Sequence, residues 1–166
     1  LDICEELGEG PYDPDFEGVT FLNPAEIGVE NANLYFPLVR GNQWTYEGET
    51  EDGLETIVVT VLNETKMIKY PADSEEGDSE EGDSEEGIEC IVVQDVVWID
   101  GEIVEDTFDW YAQDIDGNIW YMGEISRNYE DGELVDIEGS WKAGVESAKP
   151  GIVMYADPQE GDFYRQ

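Results

Sequence analysis

Between Ile88 and Trp141 apolar and polar residues alternate in four runs: IECIVVQDVVWIDGEIVEDTFDWYAQDIDGNIWYMGEISRNYEDGELVDIEGSW. Three Asp-Gly pairs, Asp100-Gly101, Asp116-Gly117 and Asp131-Gly132, separate the runs. Asp-Gly supplies the positive φ of a tight hairpin turn. The pattern therefore predicts four antiparallel strands in an up-and-down meander. The first run, Ile88 to Ile99, is apolar on both parities: Cys90, Val92, Val96 and Trp98 against Ile91, Val93, Val97 and Ile99. Such a strand is covered on both faces, here by a core on one side and by an arm or another subunit on the other.

The later runs are more one-sided. Val104, Phe108, Trp110 and Ala112 share a parity in Glu102 to Gln113. In Asn118 to Tyr129, Trp120 and Met122 oppose Ile119 and Tyr121. In Glu133 to Trp141, Val135, Ile137 and Trp141 oppose Asp136, Glu138 and Ser140, the signature of a sheet with one wet face.

Upstream, Gln43 to Gly48 places Trp44 and Tyr46 on one face, and Glu51-Asp52-Gly53 turns the chain. Glu55 to Asn63 is a β-branched run, and Lys66 to Tyr70 reads as a further short strand. Residues 1–39 carry prolines at 11, 14, 24 and 37 and no period, so they read as an extended arm. Its apolar patches are Val19, Phe21 and Leu22, then Leu34, Tyr35 and Phe36. Such an arm folds over its own core or acts as a donor strand on a neighbour's sheet edge. After Trp141 the pattern is irregular until Ile152 to Tyr155. The expected fold is all-β: an antiparallel meander of about six to eight strands forming a curved sheet, half-barrel or open barrel. An extended N-terminal arm (1–39) precedes a single β domain (40–166), which carries an acidic repeat loop at 71–87. A sheet that does not close has a free edge, and free edges invite pairing.

Charge narrows the partners. Forty-three acidic side chains against 7 basic ones give a net charge of -36. Nucleic acid is excluded as a partner, because phosphate contacts need Lys and Arg. No apolar run is long enough for a membrane helix, so no membrane span is expected. Self-repulsion at this density favours counterions, copies of the chain bridged by cations, or basic surfaces. Calcium, a divalent cation that takes carboxylate and carbonyl oxygens, is the expected ion; an acidic surface kept for solubility is the alternative. The chain opens at Leu1 without a charged-then-apolar leader, as expected of a secreted chain whose signal has been removed. Cys4 and Cys90 form one disulfide or are two separate thiols. Asn63-Glu64-Thr65 is a glycosylation sequon, relevant only where the compartment glycosylates.

The sequence DSEEG occurs at 73–77, 78–82 and 83–87. The repeat has no apolar group and cannot join a core. It chelates calcium loosely, accepts phosphate at Ser74, Ser79 and Ser84, or is a tolerated loop expansion.

Little in the chain points to catalysis. There is no histidine, hence no histidine base, triad or imidazole ligand. There is no phosphate-cradling loop with a lysine. Carboxylate pairs are so abundant that none stands out. An enzyme is not expected. The candidate metal ligands are Asp114, Asp116 and Asn118, which alternate around Gly117 as in the opening half of an EF-hand loop. The position where that loop would need its glutamate is Ile125, beside Glu124. A hairpin turn rich in Asp, Gly and Asn for backbone reasons is the competing reading. Asp52, Asp106 and Asp131, in other acidic turns, are weaker candidates. The tryptophans at 44, 98, 110, 120 and 141 fall about once per strand, which fits core packing better than a sugar platform.

The segments YFPLVRGNQWTYEGE, EDTFDWYAQDIDGNIWYMGE and EGSWKAGVESAKPGIVMYADPQEGDFYRQ resemble an uncharacterised family of secreted bacterial β-rich proteins. The resemblance covers about Tyr35 to Gln166 without the DSEEG insert. It implies secretion and strands continuing past the YRQ segment, and it implies no activity. Together these readings lead to a non-enzymatic extracellular structural protein. It would self-assemble into a filament or sheath by strand complementation, with calcium bridging acidic surfaces. The alternative is a monomeric secreted or periplasmic binding module for a lipid-like or carbohydrate ligand.

Overall fold

A computed structural model describes residues 12, 14, 16–70, 87–162 and 164. Cys4, the start of the arm and the DSEEG segment through residue 86 lie outside the described residues, and with them the disulfide and phosphorylation readings. The described chain forms one antiparallel sheet and no α-helix. The strands are β1 (Gln43–Thr50), β2 (Gly53–Ile68), β3 (Ile88–Ile99), β4 (Glu102–Gln113), β5 (Ile119–Glu130), β6 (Glu133–Asp136), β7 (Trp141–Lys142) and β8 (Gly151–Met154). β1 to β5 lie in chain order, and the sheet curls strongly into a half-barrel. The outer side of β5 is taken in turn by β6, β7 and β8. The outer side of β1 has no partner among the described residues.

Two of the Asp-Gly pairs turn as the sequence implies. Asp100 and Gly101 have φ of 51° and 85°, and Asp131 and Gly132 have 51° and 77°. Both central residues are left-handed, as a two-residue hairpin with native twist requires. At Asp116-Gly117 only the glycine is left-handed (φ 92°), so this loop is held differently.

Two expectations need correction. Glu55 to Asn63 and Lys66 to Tyr70 are not separate strands but one bulged strand, β2. Val61 pairs Val93 and Thr65 pairs Ile91, so residues 62–64 stand opposite Val92 alone. The bulge bends the strand without ending it, and the sequon asparagine, Asn63, is exposed on it. The run Glu133 to Trp141 is not one strand with an apolar inner face. β6 stops at Asp136, whose Oδ1 accepts from Glu138 N and Asn128 Nδ2 and turns the chain. β6 pairs only with Asn128, Tyr129 and Glu130, at the far end of β5. Leu134, Val135 and Ile137 there remain about half exposed (54%, 48% and 53%).

From Phe16 to Leu38 the arm lies on its own sheet. It crosses the β4–β5 end, where Phe21 bridges Asp114, Leu22 N donates to Gln113 O and Ile115 N donates to Thr20 O. Before the crossing, Phe16 and Phe21 pack against Trp120 in a cluster with buried Cys90, Ala112 and Met122. Beyond it, Ile27 and Leu38 join Val61, Ile91, Val93 and Ile119 in a second cluster. Over Cys90 to Val93 both parities of β3 are thus covered, and part of the cover comes from the arm of the same chain, while Val96 to Ile99 are only half-buried. Burying Ile27 and Leu38 alone contributes about 2 kcal/mol each by area removed from water. Asn33, buried, ties the arm down: its Nδ2 donates to Gly117 O and Tyr155 O, and its Oδ1 accepts from Tyr35 N and Phe36 N.

Four of the five tryptophans pack against these clusters: Trp110, Trp120 and Trp141 against the first, and Trp44 against the second, while Trp98, half-buried, belongs to neither. No helix among the described residues is long and apolar enough to cross a membrane.

Candidate functional site: an aromatic cleft with paired acids

Where the arm passes over β1 to β4, a cleft of about 280 Å³ remains between arm and sheet. The arm supplies one wall, from Tyr35 to Leu38. The sheet supplies the other in cross-strand rows. Trp44, Val59 and Asp95 lie side by side on β1, β2 and β3. Val61, Val93 and Asp109 do so on β2, β3 and β4. Tyr111, edge-on to Phe36 with ring centroids 5.0 Å apart, closes one end. Tyr35 and Tyr46 stand at the cleft with 56% and 55% of their surface exposed. The charged side chains of this lining are Asp95 and Asp109, both acids.

Asp109 is 8% exposed and stands directly opposite Glu124 of β5. Like charges facing across a strand pair destabilise it. The pair is held together by Tyr121, whose hydroxyl lies 2.7 Å from Asp109 Oδ1 and 2.6 Å from Glu124 Oε2. A phenol has one proton to donate, so the second short contact needs a proton on one of the carboxyls. Asp109 is the group that holds it. Burial pushes its carboxyl up to about 7, and the charges of Glu124 and Asp95 add to this against the Tyr121 hydrogen bond. Asp95 is raised to about 6, by burial first and then by Glu105. Its Oδ1 is fully covered and has no hydrogen-bond partner among the described residues. Tyr111 and Tyr121 are pushed well above the usual phenol value, chiefly by burial and then by Asp109.

This constellation depends on one irregularity. Trp110 pairs Gly123 and Tyr111 pairs Tyr121, so Met122 is an extra residue on β5. Regular strands send residues three apart to opposite faces. The bulge brings Tyr121 and Glu124 to the same one. Gly123 has φ 140°, and a Cβ there would lie 2.5 Å from Trp141 O. Only glycine fits. Tyr121 also stacks on Tyr111 (4.8 Å) and meets Trp141 edge-on (5.1 Å).

The sequence-level metal candidates lie elsewhere and apart. Asp114 is buried, and its carboxylate is committed to its own loop. Oδ1 accepts from Asn118 N (2.9 Å), and Oδ2 accepts from Asn118 Nδ2 (2.9 Å) and Trp120 Nε1 (3.0 Å). Asn118 Oδ1 in turn accepts from Ala156 N. Asp116 is exposed beside them. Asp52 and Asp131 are exposed in hairpin turns, and Asp106 accepts from Gln94 Nε2 and faces Arg127 at 3.6 Å. Among the described residues no three Asp, Glu, Cys or His side chains gather as a metal site. Cys90 is wholly buried and has no disulfide partner among the described residues; its thiol pKa is raised, by burial first and then by Glu89.

Asp95, Asp109, Tyr121 and Glu124 were not singled out from the sequence. A signal existed for Asp95, a mid-strand carboxylate that shares parity with Val93 and Val97. Asp109 shares its parity with Glu105 and Thr107, opposite the apolar parity of its run, so the pattern does not mark it as inward. The place of Glu124 depends on the bulge, which the pattern does not reveal. No protein-family model matches the chain, and neither a curated protein nor a solved structure does.

Proposed function

We propose that this protein is a non-enzymatic, secreted binding module that holds one small amphipathic ligand in the cleft between arm and sheet. The observation that carries this reading is the cleft itself: about 280 Å³, walled by Trp44, Tyr46, Tyr111 and Phe36, with two acids among apolar side chains. That volume is close to the lower end of small-molecule sites, about 300 Å³, and so is the mixture of apolar wall and few polar groups. The test is a fluorescence titration with Nile red, a neutral apolar dye, on the intact protein and on Val59→Trp, which fills the cleft. One saturable site in the intact protein, lost in a folded Val59→Trp variant, is expected. Absence of saturable binding rejects the reading.

A second reading has its own observation, the outer side of β1 over Gln43–Thr50, which has no partner among the described residues. An open strand edge is a template for another chain. Glu47 and Glu49 on that edge repel a second copy, and calcium between the copies would offset the repulsion. This is extracellular self-assembly into a filament or sheath. Sedimentation in calcium and in chelator decides it: a monomer in both rejects self-assembly and leaves the cleft reading untouched.

A further inference from the structure

The chemistry of the cleft defines its ligand more narrowly, on the reading that the cleft is a binding site. We propose that it takes an organic cation, a primary or quaternary ammonium group carried on a compact apolar body. Three independent features converge. First, the wall is aromatic. Ring faces attract cations, and they do so best for weakly hydrated organic ones. Tyr35 and Tyr46 keep more than half their surface open to solvent at the cleft, an arrangement that core packing alone does not require.

Second, the charged side chains of the lining are both carboxyls. Asp95 lines the cleft, and its Oδ1 is covered by protein without a hydrogen-bond partner among the described residues. A carboxylate in apolar surroundings without a compensating charge is costly, and an ammonium group seated in the cleft offsets that cost by its charge, without touching the covered oxygen. Asp109, more than nine-tenths buried, presents the second carboxyl. An anionic ligand would meet Asp95, and Asp109 once it has lost its proton, as like charges, and a neutral one would leave those charges uncompensated. Third, the cleft, at about 280 Å³, lies near the lower end of small-molecule sites. That suits a small amine with one ring or a short chain, and it is too small for a lipid tail. A bare divalent ion fits less well: it takes six to eight oxygens, and most of this lining is aromatic or aliphatic carbon.

The proton held at Asp109 gives the site a pH dependence. The groups that face Asp109 are Glu124 and Tyr121 on β5, Asp95 on β3 and Tyr111 on its own strand. None of them carries a positive charge. An entering cation therefore competes with the proton, and cation binding strengthens as pH rises through about 7.

The experiment is a calorimetric titration of the full chain with three probes of similar shape: benzyltrimethylammonium, benzyl alcohol and phenylacetate. The cation is expected to bind about tenfold or more tighter than the alcohol, with phenylacetate unbound. It is also expected to bind about tenfold tighter at pH 8 than at pH 5, with the alcohol unchanged. Asp95→Asn and Asp109→Asn are each expected to remove most of the preference for the cation and to leave the alcohol's affinity in place. Should a variant fail to fold, the three-probe series on the intact protein decides by itself. Equal affinity for cation and alcohol overturns the inference while the cleft remains a binding site. Silence from all three probes and from Nile red overturns both. Displacement of the cation by calcium chloride, at concentrations where magnesium chloride has no effect, overturns it in favour of a metal.

Discussion

Replacing Asp109 by asparagine tests the electrostatics of the cleft most directly. The carboxyl is held at about 7 in the folded chain, against an ordinary 3.8. Between those values the folded state keeps a proton that the unfolded state has released. Stability therefore falls as pH rises through that window, and it is greatest at the acid end. At 1.36 kcal/mol per tenfold in proton affinity, the full penalty at pH 8 is about 4 kcal/mol. That is a large share of the about 5–15 kcal/mol that holds a domain folded. Asparagine is neutral throughout. Its Oδ1 still accepts from the Tyr121 hydroxyl, and its Nδ2 can donate to Glu124. Urea unfolding of both proteins at pH 5 and pH 8 gives the comparison. The stability of the variant relative to the parent is expected to rise by about 3 kcal/mol from pH 5 to pH 8, since about a third of the full penalty is already present at pH 5. Repulsion from the net charge of -36 acts on both proteins and largely cancels in the difference. A difference that stays constant with pH, or a variant less stable at pH 8, refutes the proton-sharing arrangement of Asp109, Tyr121 and Glu124.

Other perturbations probe the frame around the cleft. Gly123→Ala puts a Cβ 2.5 Å from Trp141 O at φ 140° and should cost about 3 kcal/mol or more in chemical denaturation, along with the β5–β7 pairing. Asp114→Ala leaves the Trp120 indole and two Asn118 N–H groups without their acceptor. A loss of about 3 kcal/mol is expected, and a change under 1 kcal/mol would show that the loop does not depend on it. In a Cys4→Ser background, Cys90 should not react with Ellman's reagent until the chain unfolds, because the thiol is wholly buried and its pKa is raised. Rapid reaction in native buffer would contradict the packing around β3.

The chain's alternation was sufficient for the meander. Asp100-Gly101 and Asp131-Gly132 dictate their turns, because few other pairs accept left-handed φ twice in succession. The two-sided β3 declared in its composition that both of its faces would be covered. The sequence did not reveal what would cover them. Proline-broken and without a period, residues 16–38 became a strap over their own sheet because Phe16, Phe21, Ile27 and Leu38 found partners there. Strand ends were also misread where a side chain competed with the ladder, as Asp136 does when it captures Glu138 N.

The cleft was the least legible part. Among 43 acidic residues, single carboxylates carry no signal, and Asp114, Asp116 and Asn118 drew attention through local spacing alone. What distinguishes Asp95 and Asp109 is burial beside one another, a property of the register between β3 and β4. Glu124 joins them only through the extra residue at Met122. The sequence by itself determined the strands, most of their turns and the excess of negative charge, because period, turn chemistry and composition are local quantities. The tertiary structure alone decided which acids lose their water and face aromatic rings, because desolvation and cross-strand repulsion arise only when distant segments are brought into contact.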